Sequence, residues 1–170
     1  MKKTIALVLS LFVFAQVFAT DVVPVESARK ASKNFLSARY KTMADIKTTD
    51  LTLKHTELNE NGEPVYHHFQ IKDKGFILVS ATDNVIPVLA YSIESNLESN
   101  ESVDFMLDSY KNYISQVQAY HVTDANAAKA WAQYTADNFV QTKADLKFVD
   151  RLKSVFYKVF FRSDSLLFLL

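Results

Sequence analysis

The chain has 170 residues, with 19 basic and 19 acidic side chains, so its formal net charge is zero. This balance provides neither the basic surface that nucleic acids require nor a strong field to steer a charged partner, and we predict no nucleic-acid partner. The sequence also lacks cysteine, which excludes disulfide bonds and catalysis by a thiol.

The first residues have the pattern of a secretory signal peptide. Two lysines precede an apolar stretch from Ile5 to Phe18, and Val17 and Ala19 suit the small-residue positions before a cleavage site. The stretch is shorter than the roughly 20 residues that span a bilayer, so a membrane anchor is the weaker interpretation. We therefore predict a signal peptide at residues 1–19, a secreted or periplasmic mature protein, and no stable membrane span after cleavage.

Residues 24–39 are predicted to form the first helix of the mature protein. Apolar side chains recur there at three- and four-residue steps and so share one face: Val25, Ala28, Ala31, Phe35 and Ala38. Glu26 near the start and Arg39 near the end suit the helix dipole. The pattern is typical of a helix that packs on a sheet.

Four short segments follow, and the turns between them predict an antiparallel meander. The segments are residues 51–58, 64–71, 76–81 and 85–92. Asn61-Gly62 is a strong hairpin signal because both residues tolerate a positive φ, and Gly75 ends a second tight turn. Residues 76–81 are almost continuously apolar, as in a central strand covered on both faces. Pro87 favours an edge position or a bulge for the last strand.

Helices are predicted to dominate the rest of the mature chain. Residues 93–102 are polar and indicate a loop, and residues 103–120 have a helical period with Ser102 as the N-cap. A further helix is predicted at residues 125–139, capped by Thr123 or Asp124. We therefore predict an α+β fold: an antiparallel four-stranded meander packed with two or three helices and preceded by a signal peptide.

Residues 141–170 form an apolar C-terminal segment whose role the sequence leaves open. A helical apolar stripe runs from Phe148 to Phe160, and residues 166–170 are all apolar. Three interpretations remain: a core helix, a contact with a partner or a membrane surface, or an end left by truncation of a longer ancestor.

The residues that could carry catalysis or bind a metal are few. Ser80 lies in an apolar strand without the Gly-x-Ser-x-Gly pattern of a nucleophile elbow. His67 and His68 are adjacent on a predicted strand, so their side chains point to opposite faces and cannot share one ion in regular geometry. We predict no enzymatic activity, no metal site and no cofactor.

The strand pair from Gly75 to Ser92 resembles the prodomain of streptopain-family cysteine peptidases, a domain that also occurs as a stand-alone streptopain inhibitor. The resemblance extends over about residues 22–120 and predicts an inhibitor domain at residues 20–140. It rests mainly on Gly75, Phe76, Val79, Ser80, Asp83, Pro87, Val88, Leu89, Tyr91 and Ser92, and in the later helix on Leu107, Ser109, Tyr110 and Ile114.

The resemblance also implies how such a domain would act. In the family, a loop before the Ser-Tyr helix enters the catalytic cleft, and an asparagine there helps to hold the catalytic histidine out of place. The corresponding position is near Ser102, so the predicted insertion residues are Asn100, Glu101 and Ser102.

Together with the predicted signal peptide, the resemblance implies a secreted, non-covalent inhibitor that blocks the cleft of a streptopain-like cysteine peptidase. Two alternatives remain open. One is a truncated zymogen propeptide without activity, and the other is a surface binding module.

Overall fold

The computed structural model describes residues 22–139. Two 3-10 turns, Lys41–Met43 and Thr48–Asp50, connect the first helix of this part to the first strand. The predicted signal peptide and the apolar C-terminal segment lie outside the described residues. The helices and strands of the described part are, in chain order, α1 Val25–Arg39, β1 Leu51–Leu58, β2 Pro64–Ile71, β3 Phe76–Ser80, β4 Val88–Ser92, α2 Glu101–Tyr120 and α3 Ala127–Tyr134.

The four strands form one antiparallel sheet in the order β1-β2-β3-β4, which confirms the predicted meander and the α+β class. β1 and β2 have the predicted bounds, whereas β4 begins at Val88 rather than at residue 85. The reason lies in Pro87, which has no N–H to donate but whose carbonyl accepts the N–H of Ser80 at 2.8 Å. β4 is an edge strand, as the proline predicted.

Helices cover both faces of the sheet. On one face α1 and α3 enclose a core that includes Phe35, Phe69 and Trp131. On the other face α2 buries Ile114 and Val117 against the sheet. In β3, Ile77 and Val79 belong to the first core and Leu78 to the second, and all three are completely buried. This alternation confirms the prediction of a central strand that is covered on both faces.

Two glycines with positive φ shape the turns of the meander, but they face different surroundings. Gly62 has φ +79° and nothing within 4 Å of the place where a Cβ would stand. Gly75 has φ +101°, and a Cβ there would lie 2.7 Å from the carbonyl oxygen of Ser92. Gly75 is therefore required both for its backbone conformation and for the close approach of β4.

Alanine substitutions at these glycines separate the two requirements. We expect Gly62→Ala to lower the free energy of unfolding by about 1 kcal/mol, because only the backbone conformation becomes unfavourable. We expect Gly75→Ala to lower it by roughly 3 kcal/mol, because the new methyl group also displaces the end of β4. Urea unfolding of both variants measures the difference, and equal losses would contradict a close packing requirement at Gly75.

The N-terminal end of the described chain is attached to the sheet through His67. Val23 donates its N–H to the carbonyl of Ala81 at 2.8 Å. The His67 Nε2 lies 3.1 Å from the carbonyl oxygen of Val23, and its Nδ1 lies 2.9 Å from the hydroxyl of Thr56. The neutral ring satisfies both contacts, with Nε2 donating and Nδ1 accepting. His68 contacts Phe76 instead, consistent with the prediction that the two histidines face opposite ways.

Burial lowers the pKa of His67, with a smaller opposing effect from the Val23 carbonyl, and burial also lowers the pKa of His68. The unfolded chain therefore takes up protons at higher pH than the folded protein does. The contribution of these two histidines to the free energy of unfolding should have its full value above about pH 6.5 and should decrease as the pH falls below it.

Urea unfolding between pH 8 and pH 5 tests this expectation, because this range lies above the titration of ordinary carboxylates. The midpoint should fall with decreasing pH. His67→Gln cannot titrate, so its unfolding midpoint should depend less on pH than that of the parent protein. An identical pH dependence of the two proteins would show that His67 does not contribute.

Candidate functional site

The predicted insertion residues lie where β4 leaves the sheet and the chain enters α2. The first half of this connection is held by two polar side chains. The Ser92 hydroxyl accepts the backbone N–H groups of Glu94 at 3.2 Å and Ser95 at 3.0 Å. The Asn96 side-chain oxygen accepts from the Gln70 amide at 2.8 Å and from the N–H of Gly75 at 3.1 Å. The loop is thus tied to the β2–β3 turn.

The second half is held by the start of α2. The Asn100 side-chain oxygen accepts the N–H groups of Ser102 at 3.1 Å and Val103 at 3.0 Å. Asn100 is therefore the N-cap, and the prediction that Ser102 caps the helix is wrong. Ser102 lies inside the first turn, where its own N–H needs an acceptor. The Ser99 hydroxyl adds a hydrogen bond to Asp104 at 2.9 Å.

The connecting loop is consequently residues 93–100, which we call the β4–α2 loop. The three predicted insertion residues are consecutive at the end of this loop and the start of α2. Asn100 and Glu101 are exposed there, and Ser102 is half-buried. Leu97, in the middle of the loop, packs against the core under α2. The loop is attached to the fold through Ser92, Asn96, Leu97 and Asn100, and it presents Glu94 and Glu98 to solvent.

The loop and the first half of α2 carry charge of one sign. No lysine, arginine or histidine occurs between Ile93 and Tyr110, and the acidic residues there are Glu94, Glu98, Glu101, Asp104 and Asp108. Carboxylates in the first turn of a helix interact favourably with its dipole, which accounts for Glu101 and Asp104. The other three carboxylates have no such local explanation.

Most residues that carry the family resemblance hold the scaffold together. Ser80 is completely buried, and its hydroxyl donates to the carbonyl of Thr82 at 2.9 Å, so it is not an accessible nucleophile. The Tyr110 hydroxyl donates to the carbonyl of Leu89 at 2.8 Å and joins α2 to β4. Gly75 and Ser92 form the close contact between the β2–β3 turn and the end of β4.

The remaining motif residues, with one exception, also hold the scaffold together. The Tyr91 ring lies 4.9 Å from that of Phe35 in an edge-on contact that joins β4 to α1. Phe76 packs beneath α2, and Pro87 and Val79 are buried. Asp83 is the exposed exception, in the turn between β3 and β4.

An ion pair between Lys111 in α2 and Glu57 in β1, which the sequence did not predict, fixes α2 against the first strand. Lys111 Nζ lies 2.5 Å from Glu57 Oε1, and His55 Nε2 lies 2.9 Å from Glu57 Oε2. Burial alone would raise the pKa of Glu57, but the hydrogen bonds from Lys111 and His55 outweigh it and the pKa is lowered. Such a pair has no sequence signal because its partners are far apart in the chain.

Among residues 22–139, no three acidic or histidine side chains are grouped so that they could hold a metal ion. No helix in the same residues has the length and hydropathy that crossing a membrane requires.

Comparison with known families identifies the domain. The sequence model of the Spi protease inhibitor family matches residues 20–114, which include α1, all four strands, the β4–α2 loop and most of α2. The chain belongs to this family. The predicted resemblance to the stand-alone inhibitor is confirmed, and membership supports an inhibitor role with a protease as partner. No curated protein and no solved structure matches the chain significantly.

The position of Asn100 as the helix cap leads to a direct prediction. Asn100→Ala removes the acceptor for two backbone N–H groups and should lower the free energy of unfolding by about 1 kcal/mol. Asn100→Asp keeps a side-chain oxygen there and should be nearly neutral. Urea unfolding distinguishes the two variants, and an Asn100→Ala protein as stable as the parent would contradict the capping role.

Proposed function

We propose that this protein is a secreted inhibitor of a streptopain-like cysteine peptidase, and that the β4–α2 loop with the first turn of α2 occupies the catalytic cleft without forming a covalent bond. The observation that carries this proposal is the match to the Spi protease inhibitor family over residues 20–114, because the matched segment contains the loop and its supporting sheet. Secretion follows from the predicted signal peptide at residues 1–19.

The attachment of the loop supports an inhibitory role. Ser92 and Asn96 bind it to the sheet, Leu97 packs it against the core and Asn100 joins it to α2. A segment that is ordered before binding loses less conformational entropy in the complex than a flexible one. The loop can therefore present its exposed side chains to a cleft at a small entropic cost.

The orientation of the Asn100 side chain leaves a group for the partner. Its two hydrogen bonds come from backbone N–H groups, so the oxygen must face the helix and Nδ2 faces away. An exposed Nδ2 can donate to an imidazole nitrogen. This is the chemistry by which the family's asparagine would hold a catalytic histidine, so Asn100 is the residue we assign to that contact.

Strand addition, which a surface binding module would use, has less support from the sheet. Both edge strands are irregular, with register shifts between Leu53 and His55 in β1 and an extra residue, Leu89, in β4. The Leu89 carbonyl is also bound by Tyr110. Bulges of this kind disrupt the regular ladder that another strand would need. The inactive propeptide remains the alternative that an inhibition assay decides.

Titration of the mature protein into a purified streptopain-family peptidase tests the proposal. We expect reversible inhibition that competes with substrate, with a dissociation constant below about 1 μM. Activity should return on dilution, because the proposed contact with the cleft is non-covalent. Full peptidase activity in the presence of micromolar protein would contradict the proposal and favour an inactive propeptide.

Two controls sharpen this assay. A serine peptidase should retain its activity at the same inhibitor concentration. The Asn100→Asp variant keeps the helix cap but lacks the Nδ2 donor, so we expect its inhibition to weaken by about tenfold while its unfolding stays unchanged. Equal inhibition by Asn100→Asp and the parent would remove Asn100 from the cleft contact without removing the inhibitor function.

A further inference from the structure

One aromatic side chain close to the β4–α2 loop is directed to solvent. Phe105 lies in the second turn of α2 and is 60% exposed. The apolar residues that face the sheet from the same helix, Tyr110, Ile114 and Val117, are buried. A ring this exposed does not contribute to the core, and burying it elsewhere would remove a large apolar area from water.

The position of Phe105 relates it to the candidate cleft contact. It follows Asn100 by five residues, which corresponds to about 7.5 Å along a helix axis. Glu101 and Asp108 are four residues before it and three residues after it, so both lie on its side of the helix. The Ser109 hydroxyl donates to the Phe105 carbonyl at 2.8 Å within the regular helix. The Phe105 ring is thus carried by a regular part of α2 close to the β4–α2 loop.

The charged residues near Phe105 in the sequence indicate which kind of surface could cover its ring. The residues from Ile93 to Tyr110 include acidic side chains but no basic one. A second copy of the chain on this face would bring like charges together, and an anionic lipid surface would be repelled. A surface with positive charge around an apolar pocket is complementary to it.

We propose that Phe105 is an anchor that inserts into an apolar pocket with a basic rim, located beside the catalytic cleft of the peptidase. This inference rests on the proposed inhibitor function and adds a second contact to the one made by Asn100. Buried aromatic anchors supply a large part of the affinity in many interfaces, whereas surrounding charges mainly raise the association rate.

The test compares two exposed aromatic residues on the same helix. We expect Phe105→Ala to weaken inhibition roughly 30-fold or more, because an anchor of the complex is lost. The urea midpoint should not change, because the ring is exposed in the free protein. Tyr120→Ala is the matched control, since Tyr120 is 76% exposed at the opposite end of α2. Its inhibition constant should stay within about threefold of the parent value.

A charge variant tests the rim separately. The double substitution Glu101→Gln and Asp108→Asn should slow association about tenfold at low salt and reduce its salt dependence, whereas Glu60→Gln, in the β1–β2 turn, should not. Stopped-flow inhibition at several salt concentrations gives these rates. Unchanged rates and salt dependence in the double variant would overturn the basic rim.

The outcomes separate this inference from the proposed function. If the parent protein inhibits and Phe105→Ala inhibits equally well, the anchor is wrong and the inhibitor function stands. If the parent does not inhibit at all, both fail together. Sedimentation of the parent as a dimer that Phe105→Ala converts to a monomer would assign the surface to a second copy and overturn the inference.

Discussion

The close approach of the β2–β3 turn to the end of β4 is the constraint on which the candidate site depends. Gly75 leaves no room for a Cβ beside the Ser92 carbonyl, and it donates its N–H to the Asn96 side chain at 3.1 Å. One backbone position therefore determines both where β4 ends and how the next loop is held. Because that loop leads directly into α2, the cap at Asn100 is positioned relative to the sheet through this contact.

The residues that identify the family and the residues that would contact a peptidase are largely different sets. Ser80 and Tyr110 are buried and Tyr91 is half-buried, and all three make specific hydrogen bonds or ring contacts. Changes at such positions disturb packing, whereas exposed side chains that make no such contacts can vary at little cost to the fold. The family assignment follows from the scaffold, whereas the proposed contacts with a peptidase come from Phe105, which the packing does not constrain, and from Asn100, which also caps α2.

Local chemistry determined how well each element could be predicted. The bounds of β1 and β2 followed from the turn at Asn61-Gly62, where Gly62 adopts a positive φ that few other residues tolerate. The start of α2 was misplaced because Asn and Ser are both good caps, and only the geometry selects Asn100. The helix predicted at residues 125–139 ends at Tyr134, because the Asn34 amide, from α1, donates to the carbonyl of Tyr134 at 2.8 Å and to that of Ala136 at 3.1 Å. A contact across that many residues has no sequence signal.

The balanced charge of the chain predicted no steering field, but charge acts locally. At physiological ionic strength, exposed charges interact over about 8 Å, so a distant lysine does not neutralise a cluster of carboxylates. Lys111, the basic residue nearest in sequence to the acidic segment, forms an ion pair with Glu57 at 2.5 Å and also interacts electrostatically with Asp108. The segment from Ile93 to Tyr110 therefore keeps an excess of negative charge in a protein whose formal net charge is zero. The carboxylates are grouped along one segment of the sequence, a grouping that the overall composition does not show, and that segment contains the loop we propose for inhibition.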